Sequence, residues 1–231
     1  MNNFDQPTER RAVNNAVGVN SFFARVYGWM GASILISALV AFLVVQNGIS
    51  MSGGSAIVLM IVWAIIPFFI QGAALRSSGL GLALLFIYSA MTGFVFSNIL
   101  MVYTNTSIVA AFVSSASLFI AMSVYGFITK RSLAKMGTIL TGALIAIIIA
   151  SLINIFLHVG MLSWIISIVT VVVFTGLTAY DTQMLKQFYN QNGNSESANG
   201  VAIGGALMLY LNFINLFLSL LQIFGAGDNR N

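Results

Sequence analysis

Residues 175–186, TGLTAYDTQMLK, follow directly on the apolar run of residues 164–174, WIISIVTVVVF. About 20 mainly apolar residues suffice to cross the roughly 30 Å core of a bilayer, and the run with the start of this stretch reaches that length. Asp181 therefore stands at the end of a predicted membrane helix. An ionisable group at membrane depth is costly and usually faces a bundle interior or a water-filled cavity. The stretch thus predicts a helical membrane fold with a polar site inside it.

The composition of the whole chain supports a membrane protein. Of 231 residues, 59% are hydrophobic and only 6% are charged, whereas about a quarter of a soluble domain is charged. A surface with so few charges cannot face water, so lipid must surround most of the molecule. The sequence has no cysteine, which excludes disulfides and thiolate chemistry. Its nine Lys and Arg residues are too scattered to predict a nucleic-acid-binding face.

Seven apolar runs are long enough to be transmembrane helices. They cover residues 27–45, 56–75, 80–102, 107–128, 137–157, 161–180 and 201–224. The alternating polarity of membrane β-strands is absent, so we predict an all-α membrane fold. Outside this domain of residues 27–225, we expect a polar, disordered tail over residues 1–26 and a short tail over residues 226–231.

The basic residues fall on every second connection between these runs. Connections with basic residues alternate with uncharged ones. The basic residues are Arg10, Arg11 and Arg25 before the first run, Arg76 after the second, Lys130, Arg131 and Lys135 after the fourth, and Lys186 after the sixth. Cytoplasmic loops of membrane proteins carry the excess of Lys and Arg. We therefore predict a multi-pass protein with a cytoplasmic N-terminus and, after seven crossings, an outer C-terminus.

Asp181 is the one acid that we expect on or beside a membrane helix. If helix 6 continues through residues 184–190 and the chain turns over residues 191–200, Asp181 and Asn212 both lie about two turns from this turn. A rise of about 1.5 Å per residue then places their side chains at similar depth. Asn215 shares roughly the face of Asn212, and Tyr180 adjoins the acid. Arg76, on the cytoplasmic side, is the best candidate counter-ion for Asp181.

Simpler roles for these residues stay open at this point. Asp181 could be a helix-end carboxylate that the cytoplasm wets and that touches Lys186. Asn212 and Asn215 could be interhelical hydrogen-bonding groups only, and Arg76 could serve orientation alone.

Enzymatic chemistry is not expected. The lone His158 is predicted at an outer helix end, far from Asp181, so no Ser-His-Asp set assembles. A second membrane carboxylate and an HExxH helix are both missing from the sequence. His158 is better explained as an interfacial residue, and we expect neither a cofactor nor a stable metal site.

Four segments together resemble one family. GLTAYDTQ at 176–183 and LYLNFINLFL at 209–218 look like signatures of the Bax inhibitor motif family, and YSAMTGFVFSNI at 88–99 and AMSVYGFITKRSL at 121–133 resemble its bacterial inner-membrane branch. The resemblance implies seven helices with helix 7 at the centre. Members with known activity are calcium leak channels in which two buried aspartates of helices 6 and 7 sense pH near the cytoplasmic mouth.

The second aspartate of that pair aligns with Asn212, so this chain departs from the family pattern. Two neighbouring carboxylates repel and share a proton near neutral pH, whereas an asparagine cannot titrate and can only donate its amide to Asp181. We expect a membrane ion leak, most readily of calcium, with Asp181 as a weak, transient cation contact and altered pH sensitivity. The alternative is a non-transporting protein that modulates a membrane-bound AAA protease, or a stress or cell-death response, through its N-terminal tail.

Overall fold

The computed structural model describes residues 6–49, 54–192 and 198–228, and within them the chain forms seven α-helices and no strand. The helices are α1 (Gln6–Gln46), α2 (Gly54–Arg76), α3 (Ser78–Leu100), α4 (Asn105–Ile128), α5 (Ala134–Leu157), α6 (Gly160–Asn192) and α7 (Ala198–Asp228). Each contains a span long and apolar enough to cross a membrane. The predicted all-α, seven-helix fold is confirmed.

The expectation of a disordered tail over residues 1–26 is wrong from Gln6 onward, where α1 begins. Residues 1–5 lie outside the described residues. Four apolar residues at helical spacing, Val19, Phe22, Phe23 and Val26, are buried, and the Phe22 ring lies 4.9 Å from the Tyr189 ring of α6. Because the segment is polar overall, its composition does not reveal this buried apolar face. Packing of the face stabilises the helix.

One compact unit consists of the described residues within 1–40, 51–94 and 184–207. Its helices are joined by hydrogen bonds from Ser37 Oγ to the Ser89 carbonyl oxygen (2.7 Å) and from Trp63 Nε1 to Thr92 Oγ1 (2.9 Å). Gly93 lies so close to the Ser37 backbone that a Cβ there would collide with it. Small and hydroxyl-bearing residues thus allow close helix contacts in this unit.

A second compact unit consists of the described residues within 41–50, 95–183 and 208–231. Ala111, Leu220 and Leu221 form a buried apolar cluster in it. The Phe213 ring of α7 meets the edges of two rings of α4, Phe112 at 5.7 Å and Phe119 at 6.0 Å. These contacts fix the part of α7 that carries Asn212.

Helix α7 is the most buried of the seven. In its membrane-length window, 67% of the residues are buried, against 44% or less in the other helices and 0% in α5. The burial expected for helix 7 is confirmed, and α5 presents an almost entirely exposed apolar surface that is suited to lipid.

Candidate functional site

The two polar residues that the sequence places at similar depth are in direct contact. Asn212 Nδ2 of α7 donates a hydrogen bond of 2.7 Å to Asp181 Oδ2 of α6. Asp181 is 6% exposed and Asn212 is 4% exposed, so the interpretation of Asp181 as a wetted helix-end carboxylate is wrong. A hydrogen bond to a carboxylate is stronger than one between neutral groups, and this one joins the two helices.

The pair lies deeper than predicted. Helix α6 ends at Asn192, eleven residues beyond Asp181, and α7 begins at Ala198, fourteen residues before Asn212. At a rise of about 1.5 Å per residue these separations are roughly 17 and 21 Å, or three to four turns instead of two. Both helices are longer than their apolar runs, because their polar ends continue the helical conformation.

The acids elsewhere on helices differ from Asp181 in position. Glu9 lies in α1 and Asp228 is the last residue of α7. Both lie outside the membrane-length spans. Within the spans of the described chain, Asp181 is the single acidic residue.

The residues just before Asp181 hold α6 against α4 and α5. A Cβ at Gly126 of α4 would collide with the Ala179 carbonyl oxygen, and a Cβ at Gly137 of α5 would collide with the Tyr180 ring. Glycine at both positions therefore permits close helix contact. Tyr180, predicted to support the site, packs on α5 through this contact.

Gln183, two residues after Asp181, holds the connection between α4 and α5. Its Nε2 donates to the Arg131 carbonyl oxygen (2.9 Å), and its Oε1 accepts from the Leu133 amide (2.8 Å). The side chain is 7% exposed. Sequence reasoning missed this residue, and the only available signal was an amide side chain beside Asp181 at the end of an apolar run.

The other predicted residues lie apart from these contacts. Asn215 is half-buried, and its Nδ2 donates to the Leu211 carbonyl oxygen of its own helix (2.8 Å). Arg76 is exposed at the end of α2, and its role as a counter-ion for Asp181 stays a prediction. His158 caps the C-terminus of α5 in the left-handed conformation, with a φ of 53°.

The chemistry of the site follows from its two side chains. Carboxylate and amide oxygens are ligands that hard cations prefer, but a calcium cage takes six to eight oxygens. Among the described residues, no group of three or more His, Cys, Asp or Glu side chains lies together. These two side chains alone supply too few ligands for a tight calcium site.

Comparison with known proteins identifies the family. The family model described as "Inhibitor of apoptosis-promoting Bax1" matches residues 19–229. The chain is 40% identical over 227 residues to the inner membrane protein YbhL of Escherichia coli strain K12, which covers 95% of this chain and 97% of YbhL. It is 41% identical over 219 residues to an uncharacterized membrane protein of Streptococcus pyogenes serotype M6, covering 92% and 95% of the two chains. An uncharacterized protein of Deinococcus radiodurans is 40% identical over 213 residues, covering 91% and 92%. The chain belongs to the Bax inhibitor family.

Proposed function

We propose that the protein is a non-enzymatic cation leak of the bacterial inner membrane, with calcium as its main ion and Asp181 as the cation-attracting group. The observation that carries this proposal is the buried hydrogen bond between Asp181 and Asn212. Ionisable residues at membrane depth are rare and commonly mark ion pathways. A lone carboxylate on a span, held in place by an amide, fits that use.

The location follows from the helices and from one relative. Seven spans long and apolar enough for a membrane make the chain a multi-pass protein, and YbhL is named as an inner membrane protein. The alternation of basic and uncharged connections puts the N-terminus and the Arg131 connection on the cytoplasmic side. In this orientation, Asp181 is nearer to the cytoplasmic end of α6 than to its outer end.

Weak binding is an advantage for conduction. A site on an ion path must attract the ion strongly enough for entry and release it fast enough for exit. One carboxylate with one amide supplies attraction through a single charge, and it supplies too few ligands to trap calcium. The composition of the site therefore suits passage.

The test is cation flux from proteoliposomes that contain the purified protein. We expect calcium efflux above that of empty liposomes, competition by other cations, and no chloride efflux. Asp181→Asn removes the charge and keeps the shape, and it should lower calcium efflux about tenfold or more, as expected for loss of a functional membrane charge. Ser117→Ala is the control, because Ser117 is an exposed residue of α4 whose hydroxyl bonds its own helix. Equal efflux from the natural protein and Asp181→Asn would contradict the role of Asp181.

A second candidate is a non-transporting protein that restrains a membrane-bound protease. The observation that favours it is the N-terminal part of α1, which begins at Gln6, ahead of the apolar run that starts at residue 27. This helical extension is a potential handle for a partner. Deletion of residues 1–15 should then abolish control of the protease and spare flux, whereas Asp181→Asn should do the reverse.

A further inference from the structure

A cavity with a mixed polar and apolar lining, which includes Ile155 and Ile166, lies at the ends of α5, α6 and α7. Its volume is about 450 Å³. Its polar lining consists of Ser151 and Asn154 of α5, His158 after α5, Ser163 of α6 and Gln222 of α7. The described residues that line the cavity include no Lys, Arg, Asp or Glu. Five polar side chains at one place are unexpected in a chain with so apolar a surface.

The cavity is at the opposite end of α5 from the basic connection. Helix α5 begins at Ala134, just after the residues that Gln183 holds, and its 24 residues end at Leu157. A helix of that length is about 36 Å long. On α6, Ser163 precedes Asp181 by eighteen residues, or roughly 27 Å. The cavity and Asp181 are therefore separated by most of a membrane core.

Hydrogen bonds fix the lining. Asn154 Nδ2 donates to Ser163 Oγ (2.6 Å), and Asn154 Oδ1 accepts from the Val159 amide (3.2 Å). Ser167 Oγ donates to the Ser163 carbonyl oxygen (2.9 Å) and contacts Gln222 Oε1 of α7. The polar part of the wall is neutral and supplies side-chain oxygen atoms, which suit a hydrated cation.

The same two helices carry polar residues from the cavity to the acid. On α6 they recur at helical spacing, interrupted at Phe174, as Ser163, Ser167, Thr170, Thr178 and Asp181. On α7 they are Asn212, Asn215, Ser219 and Gln222. Residues three or four apart share a helix face. Two contacts join α6 to α7 along these faces, at two levels. Ser167–Gln222 lies at the level of the cavity, and Asp181–Asn212 lies further along both helices.

Buried apolar residues lie between the two levels on both helices. Phe174 and Leu177 of α6 and Phe213 and Leu216 of α7 are all nearly inaccessible to solvent. Apolar constrictions gate channels by excluding water. On a cation path that runs from the cavity to Asp181, these residues would form such a closed apolar barrier.

We propose that this cavity is the outer vestibule of the cation path, where hydrated cations enter or leave between α5, α6 and α7. The inference rests on the proposed cation leak and adds where its outer mouth lies. Neutral oxygen atoms line the vestibule without trapping the ion. A fixed positive charge placed there should repel cations, and a negative charge should concentrate them.

The lack of cysteine in the sequence allows a direct test. Ser151→Cys places one thiol in the cavity wall, and Met161→Cys places one on a residue that is 75% exposed near the same helix ends. A membrane-impermeant, positively charged thiosulfonate should lower calcium flux of Ser151→Cys about tenfold through repulsion. The negatively charged reagent of similar size should leave or raise the flux. Met161→Cys should respond to neither reagent.

A second pair of variants avoids chemical modification. Gln222→Glu and Gln222→Lys change the charge of the wall at one position, so calcium flux should rise in the first and fall in the second. Unmodified natural protein gives the reference. If it conducts calcium but Ser151→Cys and both Gln222 variants show no charge dependence, the vestibule is wrong and the leak stands. If the natural protein does not conduct cations, both proposals are overturned.

Discussion

Asn212 donates its side-chain amide to Asp181 over 2.7 Å, and this bond joins α7 to α6 inside the molecule. The family resemblance implies a second aspartate where this chain has Asn212. The replacement turns a pair of acids into one acid and one neutral donor. The two carboxylates of the family pair would share a proton, whereas here the amide supplies the hydrogen bond at every pH.

The orientation of the chain can be tested with single cysteines. Thiols at Ser52, Asn105 and Arg230 should react with an impermeant reagent on intact cells, because these positions are on the predicted outer side. Ser52 and Arg230 lie outside the described residues, and Asn105 begins α4. A thiol at Ser132, beside Arg131, should react only after the membrane is opened. Protection of all three outer positions would contradict the predicted orientation.

Two glycines on neighbouring helices should differ sharply in their tolerance of a methyl group. Gly126→Ala forces a Cβ into the Ala179 carbonyl oxygen, so we expect a loss of about 1–3 kcal/mol in the free energy of unfolding. Gly142→Ala is the control, because a Cβ there meets no other described atom within 4 Å. Unfolding in detergent measures both variants. Equal stability of the two would contradict the close contact of α4 with α6.

Gln183 should stabilise the connection between α4 and α5. Gln183→Ala removes both of its hydrogen bonds to the backbone, at about 1 kcal/mol each. The Leu133 amide should then exchange its hydrogen faster, as hydrogen exchange with mass spectrometry can measure. Gln183→Glu keeps an acceptor for the Leu133 amide and should show a smaller effect. Exchange unchanged in Gln183→Ala would mean that another contact holds the connection.

The sequence predicts the seven helices and the contact between Asp181 and Asn212 for simple physical reasons. Lipid requires long apolar runs, and the constant rise of a helix fixes the depth of residues on both sides of a turn. The start of α1 was not predictable from composition, since residues 6–15 are mostly polar. The role of Gln183 was also hidden, because its partners are backbone groups that every residue carries.

We propose that Asp181 lies on a cation path and lacks a titrating partner because residue 212 is an asparagine. Asn212→Asp restores two carboxylates at a distance where their repulsion is on the order of 4 kcal/mol, with an effective dielectric of about 20 and a separation of about 4 Å. As the pH falls, uptake of one proton by the pair removes this repulsion. The variant should therefore gain a step in calcium flux at roughly pH 5–7.

The Asn215→Asp control adds the same charge one turn further along α7, where the Asn215 side chain bonds its own helix, and should show a smaller step because Coulomb repulsion falls with distance. If Arg76 already balances Asp181, Arg76→Gln combined with Asn212→Asp should make the step larger.

The most direct measurement is calcium flux against pH for the natural protein and Asn212→Asp in matched proteoliposomes. We predict a nearly flat profile above pH 6 for the natural protein and a step for the variant. A steep profile in the natural protein, or no step in Asn212→Asp, would contradict the account.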